Sequence, residues 1–407
     1  MLKTLPQGSR KEAGMRVTGY RALTTLHRWG RPIGDVNGCV ASGVTAVPVV
    51  LVDTDAGLTG VGLGSHDGLE AVFPAILGED PRAVVGLYDR MLATVFKTGH
   101  TGSVFGAIGA FDMALWDLKA KAADQPLWRM LGARDRVVPG YASGLDGPLD
   151  DDELLRLQAS FAERGFGAVK LKGGLDLAGD LRRLELVRDV YAALGVAPRL
   201  MLDANEAWSR KEAVAYVQRL EEHVDLAWIE EPVRRWDADG HAMIGRAVRA
   251  AIATGENLTG LEQFRPLIQA GAVDVVQTGS VWGITHFLRV ATLAHAFDLL
   301  VSPVGYNANP LAHAAAAVPN HIATEVQDLA APVGITVDQE VMDGCIVLGD
   351  RPGLGLTVDE AGIAALTESA DWGSASGPHV RPGSAGKRLL VPRPPARAPM
   401  PLASPCD

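Results

Sequence analysis

The chain has 407 residues, long enough for one large domain with a smaller one or for two ordinary domains. Hydrophobic residues make up 47% and charged residues 21%, a composition typical of globular proteins. The net charge of −10 argues against a protein that binds nucleic acid through its phosphates. The N-terminal segment is polar, and no apolar run approaches the roughly 18 residues of a membrane span, so we expect a cytoplasmic protein without a membrane segment.

The N-terminal part of the chain mixes strand and helix patterns without regular alternation. Residues 1–15 carry no periodicity, and we expect them to be disordered. A strand-like pattern begins at Val17, and the β-branched run Val47–Val52 predicts a further strand. Apolar residues at helical spacing predict a helix over Ala107–Ala122. These patterns predict an α+β capping domain over residues 16–135.

From about residue 136 the pattern changes to apolar runs that end in polar residues and are separated by helical stretches. The predicted strands are Val138–Ser143, Ala168–Lys172, Arg199–Asn205, Leu226–Glu231, Ala250–Glu256, Val273–Thr278, Leu299–Pro303 and Ile322–Val326. Their starts lie roughly 23 to 31 residues apart, which suits one strand and one helix per unit. The predicted fold class is therefore α/β, with a modified (β/α)8 TIM-type barrel over residues 136–345. An open doubly wound sheet is the alternative, but no glycine-rich dinucleotide-binding turn follows the first strand.

The C-terminal part of the chain divides into two segments. Residues 345–370 are predicted to leave the barrel and complete the capping domain. Residues 371–407 are rich in Pro, Ala, Gly and Arg. Because such a composition cannot bury an apolar core, we expect this tail to be disordered.

Two lysines lie at the end of the second predicted barrel strand. Strand alternation places Lys170 and Lys172 on one face and Leu171 on the other. Neighbouring ammonium groups disfavour each other's charged form, so we expect the pKa of at least one lysine to fall. A lysine with a lowered pKa can act as a general base near neutral pH. Taken alone, however, a Lys-x-Lys pair is more often two solvated surface lysines.

The next three strand ends each carry an acid: Asp203, Glu230 and Glu256. Taken singly, each has an ordinary structural explanation, such as a helix N-cap, a loop charge or a salt bridge. The carboxyl ends of barrel strands meet at one mouth, so the three carboxylates would converge there, which is costly unless a cation neutralises them. Hard oxygen ligands suit Mg2+, which we predict as the cofactor and as a Lewis acid for a bound carboxylate.

The order Lys-x-Lys, Asp-x-Asn, Glu-Glu-Pro and Gly-Glu-Asn along these strand ends resembles the mandelate racemase-like branch of the enolase superfamily. The likeness covers roughly residues 16–365, including AIGAFDMALWDLKAKAADQPLWRMLG before the barrel and DRPGLGLTVDE after it. The resemblance implies an α+β capping domain over a modified barrel. It also implies a Lys or His base, Mg2+ that stabilises an ene-diolate, and often a symmetric homo-oligomer.

The resemblance also implies roles for individual residues. The metal ligands would be Asp203, Glu230 and Glu256. Lys172 would remove the proton next to the substrate carboxylate, while Lys170 would lie near that carboxylate and tune Lys172. Asn205 matches a position that contacts the α-substituent of the substrate. Glu325 matches an acid that hydrogen-bonds the carboxylate in the racemases.

The sequence departs from this branch at its usual second base, a histidine paired with an aspartate that faces the Lys-x-Lys motif. The aspartate position matches Gly279, and the histidine position matches Val304 or Gly305, none of which can transfer a proton. His286 and His295 lie in the following helical stretch, where we expect packed or surface histidines. The candidates for a replacement acid or a substrate contact are Tyr306, Asn307 and His100.

The missing pair favours a reaction that needs one base. A β-elimination does, so the first hypothesis is a Mg2+-dependent dehydratase that acts on a small carboxylate, a sugar acid or other hydroxy acid. One alternative is an enzyme that uses an unrecognised acid as its second proton-transfer group: an epimerase, a racemase or a cycloisomerase. The other is a binding protein that keeps the metal site without catalysis. The capping loop His27–Gly38 is expected to set specificity, with Arg28 and Arg31 either solvated or holding a second anionic or polyhydroxylated end of the substrate.

Overall fold

The computed structural model describes residues 14–99, 101–305 and 309–368. The elements before the barrel are β1 (Val17–Arg28), β2 (Ile33–Asp35), β3 (Gly38–Val40), β4 (Val44–Thr54), β5 (Thr59–Leu63), α1 (Leu69–Val72), a 3-10 turn (Phe73–Ala75), α2 (Val84–Thr94), α3 (Gly102–Ala122) and α4 (Leu127–Met130). An antiparallel sheet has the order β1-β4-β5, and β2 and β3 form a separate hairpin. None of the described helices is long and apolar enough to cross a membrane.

Helix α3 packs directly on the antiparallel sheet of the cap. The contact is close because β5 presents Gly60 and Gly62 to the helix, and a Cβ at either position would overlap the carbonyl oxygen of Ala114 or Ala110. The helix is buried on nearly all sides, since its other faces meet the barrel. A helix that is apolar all round is typical of such a central position.

Eight parallel strands follow: β6 (Val137–Ser143), β7 (Ala168–Lys172), β8 (Arg199–Asp203), β9 (Leu226–Glu230), β10 (Ala251–Thr254), β11 (Val275–Gly279), β12 (Leu300–Val304) and β13 (Thr324–Gln327). The helices between them are α5 (Asp151–Glu163), α6 (Leu177–Ala193), α7 (Arg210–Glu221), α8 (Ala238–Ala247), α9 (Leu261–Gln269), α10 (Ile284–His295) and α11 (Ala312–Ala315), with a 3-10 turn at Ser280–Trp282. Strands β6 to β12 pair in chain order, and β13 pairs with β6. Backbone hydrogen bonds from Val301 to Asn320 and from Ile322 to Val301 join β12 to the segment before β13, so the barrel is closed.

The barrel and its cap confirm the predicted fold class. Each predicted barrel strand is present, and each of its boundaries lies within two residues of the predicted position. In the cap, the predicted strand Val47–Val52 lies inside β4, and the predicted helix Ala107–Ala122 lies inside α3.

One layer of side chains fills the barrel interior beneath its carboxyl end. The cluster consists of Tyr141, Met201, Trp228, Ala253 and Val275, one from each of five strands. Side chains alternate along a strand, so the residue two positions beyond each of these also points inward, nearer the mouth. This layer therefore lies directly beneath the side chains at the barrel mouth.

After the barrel the chain returns to the cap. The returning elements are β14 (Ile335–Val337), β15 (Gln339–Met342), β16 (Cys345–Leu348), β17 (Leu356–Val358) and α12 (Glu360–Thr367). Strand β16 pairs antiparallel with β6, and β14 pairs with β17. Asp117 of α3 joins this segment to the cap sheet, because its carboxylate accepts hydrogen bonds from the amides of Leu354 (2.7 Å) and Val61 (2.8 Å).

Both predicted disordered segments fall largely outside the described residues, which leave out 1–13 and 369–407. Within the first of them, Met15 is described and is buried, with 6% of its surface exposed. The packed part of the chain therefore begins slightly earlier than the sequence pattern indicates.

A second buried aspartate joins the cap to the barrel. Asp112 of α3 accepts hydrogen bonds from the backbone amide (2.7 Å) and hydroxyl (2.5 Å) of Thr285 in α10. Burial raises the pKa of Asp112 to about 6, although its hydrogen bonds with Thr285 lower it. The folded protein therefore binds a proton here more tightly than the unfolded chain does.

This shift predicts a pH dependence of stability. Because the folded pKa lies above the ordinary value of 3.8, the favourable contribution of the bound proton is present at low pH and is lost as pH rises through about 6. The loss amounts to about 3 kcal/mol. We expect the unfolding free energy of wild type, minus that of Asp112→Asn, to fall between pH 4 and 6.5 in urea titrations. The exposed control Asp67→Asn should show no such trend, and parallel curves for wild type and Asp112→Asn would contradict the assignment.

Candidate active site

Strand register brings the predicted site residues together at the carboxyl end of the barrel. Lys172 of β7 pairs with Asp203 of β8, which pairs with Glu230 of β9. Glu256 follows β10 after a turn at Gly255, whose φ of 125° is a conformation that only glycine adopts readily. Hydrogen bonds from the Asn257 side chain hold Glu256 (3.2 Å) beside Glu231 (2.9 Å).

The two lysines lie against the acids. Lys172 Nζ is 2.5 Å from Asp203 Oδ2, and Lys170 Nζ is 2.6 Å from Glu230 Oε1. Lys170 Nζ also lies 3.0 Å from Glu325 Oε1 and 3.6 Å from Asp203 Oδ2. All five side chains are buried. The structure thus gathers both lysines with Asp203, Glu230 and Glu325 into one cluster.

The carboxyl groups of the cluster have different pKa values, because burial and neighbouring charges act on each of them with different strength. Burial, and then the charge of Asp203, raise the pKa of Glu230 to about 8 and also raise the pKa of Glu256. Burial acts the same way on Asp203, but Lys172 and Lys170 outweigh it and leave the pKa of Asp203 below its usual value. For Glu325, burial is likewise outweighed by Lys170, and the net pKa is lowered.

The expected fall in lysine pKa is wrong for this arrangement. Burial lowers the pKa of Lys172, and the charge of Lys170 lowers it further, as the sequence argument assumed. Asp203 and the neighbouring glutamates raise it more, so the net pKa of Lys172 lies above its ordinary value. The pKa of Lys170 is raised too, since Glu230 and Glu325 outweigh its burial. The repulsion between the lysines is real, but it is smaller than their attraction to the acids.

The chemistry of the donor set fits a divalent cation. Asp203 and Glu230 are buried and Glu256 is half-buried, and the charge of Asp203 raises the pKa of both glutamates, which is a condition that a cation relieves. Among the described residues, no three His, Cys, Asp or Glu side chains converge closely enough to hold one ion as they stand, and Lys170 Nζ lies 3.6 Å from Asp203 and 2.6 Å from Glu230. Asn205 adds a buried Oδ1 atom without a hydrogen-bond partner.

A cavity of about 260 Å3 opens above these residues. Lys172, Asn205, Glu256 and Glu325 line its barrel side. The cap contributes residues of the β2 strand and the start of β4, so cap and barrel enclose the cavity together. A small molecule in this space would contact the lysine, the amide and two carboxylates at once.

The wall that includes the ends of β11 and β12 carries no proton-transfer group in the described part of the chain. Gly279 and Val304 pair in register and line the cavity with Gly305. His286 lies deeper, where it accepts a hydrogen bond from the Gly260 amide (3.2 Å) and packs against Phe105. The candidates for a replacement acid, Tyr306, Asn307 and His100, lie outside the described residues.

The two arginines of the capping loop do not line the cavity. Arg28 is exposed at the end of β1. Arg31 makes a bidentate ion pair with Asp328, at 2.9 and 2.7 Å, and also donates to the carbonyl oxygens of Pro32 and Gly144. Its guanidinium therefore fastens the capping loop to the barrel.

The structure also brings in residues that the sequence reasoning did not single out. Asp146 accepts a hydrogen bond from the Lys172 amide (2.8 Å), and Trp228 Nε1 donates to Glu230 (3.2 Å). Glu231 is buried beside Glu256, and its φ of 41° is unusual for a residue other than glycine. The Glu-Glu pair marks Glu231 in the sequence, whereas nothing local marks Asp146.

Comparison with known proteins agrees with this site. Residues 153–362 match the enolase C-terminal domain-like family, and residues 32–132 match the N-terminal domain of the mandelate racemase / muconate lactonizing enzyme family. The chain is 35% identical to an L-talarate/galactarate dehydratase of Salmonella typhimurium, over 86% of this chain and 90% of that protein. It is also 35% identical to a 3,6-anhydro-alpha-L-galactonate cycloisomerase of Streptomyces coelicolor, over 70% of this chain and 78% of that protein.

Solved structures give the same result. A racemase from Streptomyces coelicolor with bound magnesium superposes with a TM-score of 0.77 at 31% identity, over 86% of this chain and 99% of that one. The bound magnesium of that relative agrees with the Mg2+ predicted from the acidic strand ends. With both domain models matched and two relatives at 35% identity, the chain belongs to the mandelate racemase / muconate lactonizing enzyme family of the enolase superfamily.

Proposed function

We propose that the protein is a Mg2+-dependent dehydratase of a sugar acid. The observation that carries this proposal is the position of Lys172, which lines the cavity with its Nζ 2.5 Å from Asp203, while the described residues at the ends of β11 and β12 include no histidine, lysine or acid that could serve as a second base. The similarity to a talarate/galactarate dehydratase supports the same reaction class. A single base is sufficient for elimination, whereas racemisation needs one on each face of the planar intermediate.

Different residues of the site would bind the metal, remove the proton and bind the substrate carboxylate. Asp203, Glu230 and Glu256 would hold the Mg2+, which when bound acts as a Lewis acid that draws charge from the substrate carboxylate. Lys172 Nζ would take the proton from the α-carbon after losing its own proton, which becomes easier when a bound cation offsets the charge of Asp203 that holds the lysine protonated. Lys170 remains charged between Glu230 and Glu325 and attracts the substrate carboxylate.

Bond changes balance without an oxidant or a reductant. The α-carbon loses its proton to Lys172, and the β-carbon loses its hydroxyl, which leaves as water after protonation. The enol that results tautomerises to a 2-keto-3-deoxy acid, because its β-carbon gains a proton and its hydroxyl loses one. Asn205 is placed to orient the hydroxyl at the α-carbon, because its Nδ2 donates to Asp203 (3.2 Å) and its Oδ1 is left to accept.

A cycloisomerase is the second candidate, because one relative of equal identity carries out that reaction. Both reactions begin with removal of the same proton, so the site alone does not separate them. A screen of sugar acids and anhydro sugar acids with Mg2+ distinguishes the two. Keto-acid formation with release of water supports the dehydratase, and an isomer of unchanged mass supports the cycloisomerase. A binding protein would give neither product and no exchange of the α-proton with solvent.

The metal site can be tested with charge-neutralising variants of similar volume. Asp203→Asn, Glu230→Gln and Glu256→Gln should each weaken Mg2+ binding by about 100-fold or more in titration calorimetry, because each removes a charged oxygen ligand. Glu163→Gln, on the exposed surface of α5, is the matched control and should bind Mg2+ like wild type. Equal Mg2+ affinity in all four variants would show that the ion binds elsewhere.

The base can be tested by solvent exchange. Lys172→Ala should reduce deuterium incorporation at the α-carbon by at least about 1000-fold, because no other described residue at the cavity replaces the amine. Its Mg2+ affinity should remain, which separates loss of the base from loss of the site. Lys211→Ala, an exposed lysine of α7, is the control. Wild-type exchange rates in Lys172→Ala would assign the base to another group.

The one-sided placement of the base predicts stereospecific exchange. In D2O, only the α-epimer whose proton faces Lys172 should exchange or be consumed, and its partner should stay unlabelled. The measurement is NMR of both epimers of an acid that the enzyme turns over. Interconversion of the two epimers would require a second base, and Tyr306 and His100 would then be the first positions to mutate.

A further inference from the structure

We propose that Trp282 is a positioning residue for the magnesium site: its indole holds the proposed metal ligand Glu256 in place and fills the space that a side chain at position 279 would need. This inference rests on the proposed function, because it concerns how that site keeps its third carboxylate. It also assigns a role to the part of the cavity wall that follows β11.

The backbone of Glu256 is held by donors at and just after the end of β11. Trp282 Nε1 donates a hydrogen bond to the carbonyl oxygen of Glu256 (2.5 Å), and the amide of Gly279 donates to the same oxygen (3.2 Å). Glu256 itself lies beyond β10, whose pairing with β11 ends at Thr254. The two donors therefore replace the sheet pairing at this residue and fix the backbone from which its carboxylate projects.

Gly279 leaves room for the indole. A Cβ at position 279 would lie 2.8 Å from Trp282 Nε1 and 2.8 Å from the carbonyl oxygen of Glu256, closer than real Cβ atoms approach other groups. The position that matches the aspartate of the usual second base therefore cannot carry a side chain while the indole is bound to Glu256. The glycine at 279 and the contact between Trp282 and Glu256 are thus parts of one packing arrangement.

Helix α3 of the cap holds the turn that carries Trp282. Phe105 packs against the indole, with ring centroids 5.9 Å apart and ring planes at 63°. Gly109, one helical turn further along, lies so close that a Cβ there would overlap the backbone of the turn. Asp112, on the same face of the helix, accepts hydrogen bonds from α10 directly after the turn. One face of α3 thus fixes the turn, and the indole is a rigid support for Glu256.

Magnesium binding by the full chain, measured by titration calorimetry, tests the inference without requiring turnover. Trp282→Phe keeps an aromatic ring and removes the indole N–H, so it should weaken Mg2+ binding by about 10- to 100-fold, the range for residues that orient metal ligands. Gly279→Ala should weaken it to a similar degree, because the added Cβ disrupts the same contact. In the double variant the two losses should not add, since both act through one contact.

Two matched controls should bind Mg2+ like wild type: Trp236→Phe, which changes an exposed tryptophan, and Gly86→Ala, where the added Cβ meets open space. Urea titration without Mg2+ checks that each variant is folded, and Gly279→Ala tests the same contact if Trp282→Phe does not fold. A kinetic readout separates positioning from direct substrate contact. With galactarate or galactonate as the acid, saturating Mg2+ should restore kcat of Trp282→Phe and leave its KM unchanged.

The failure of this inference can be distinguished from failure of the proposed function. Wild-type Mg2+ affinity in both Trp282→Phe and Gly279→Ala would overturn the inference and leave the dehydratase intact. Fully additive losses in the double variant would also contradict it, because the two residues would then act through separate contacts. A raised KM at saturating Mg2+ would make Trp282 a substrate contact instead. Variants that respond as expected, in a protein that exchanges no α-proton and forms no keto acid, would refute the dehydratase but not the role of Trp282.

Discussion

The structure depends on gathering four carboxylates and two ammonium groups, all of them buried except the half-buried Glu256, at one end of the barrel. Asp203, Glu230, Glu256 and Glu325 face Lys170 and Lys172, which leaves two negative charges unmatched. Asp203 and Glu230 have no exposed surface, so the excess negative charge is met by bound protons or by a divalent cation. Burial and Asp203 raise the pKa of Glu230 to about 8, which favours a bound proton on this residue. The divalent cation is the other way to offset the charge, and a relative has been solved with bound magnesium.

The location of this cluster could be predicted from the sequence because its causes are local. Alternation along β7 fixes the shared face of Lys170 and Lys172, and each acid ends a strand whose limits are visible as an apolar run. Parallel strands of a closed barrel then bring those ends together without further information. The motif order was therefore enough to recognise both the fold and the family.

The sequence did not reveal the properties that depend on contacts between residues far apart along the chain. The pKa of Lys172 was expected to fall because one neighbour is visible two residues away, whereas the acids that raise it come from other strands. Arg31 could not be assigned for the same reason, since Asp328 lies almost 300 residues further along the chain and meets it only in the fold. Asp146, which holds the Lys172 amide, likewise carries no local signal.

The barrel wall and the cap wall of the cavity carry different groups. The strand ends of β7 to β10 supply charge, and this half of the site is shared by enzymes that act on many acids. On the cap side, Arg31 docks the capping loop to Asp328 and Gly144 and does not line the cavity. An arginine that both docked the cap and bound the substrate would have to break one contact to make the other. The use of Arg31 for docking therefore keeps the cap joined to the barrel around the cavity.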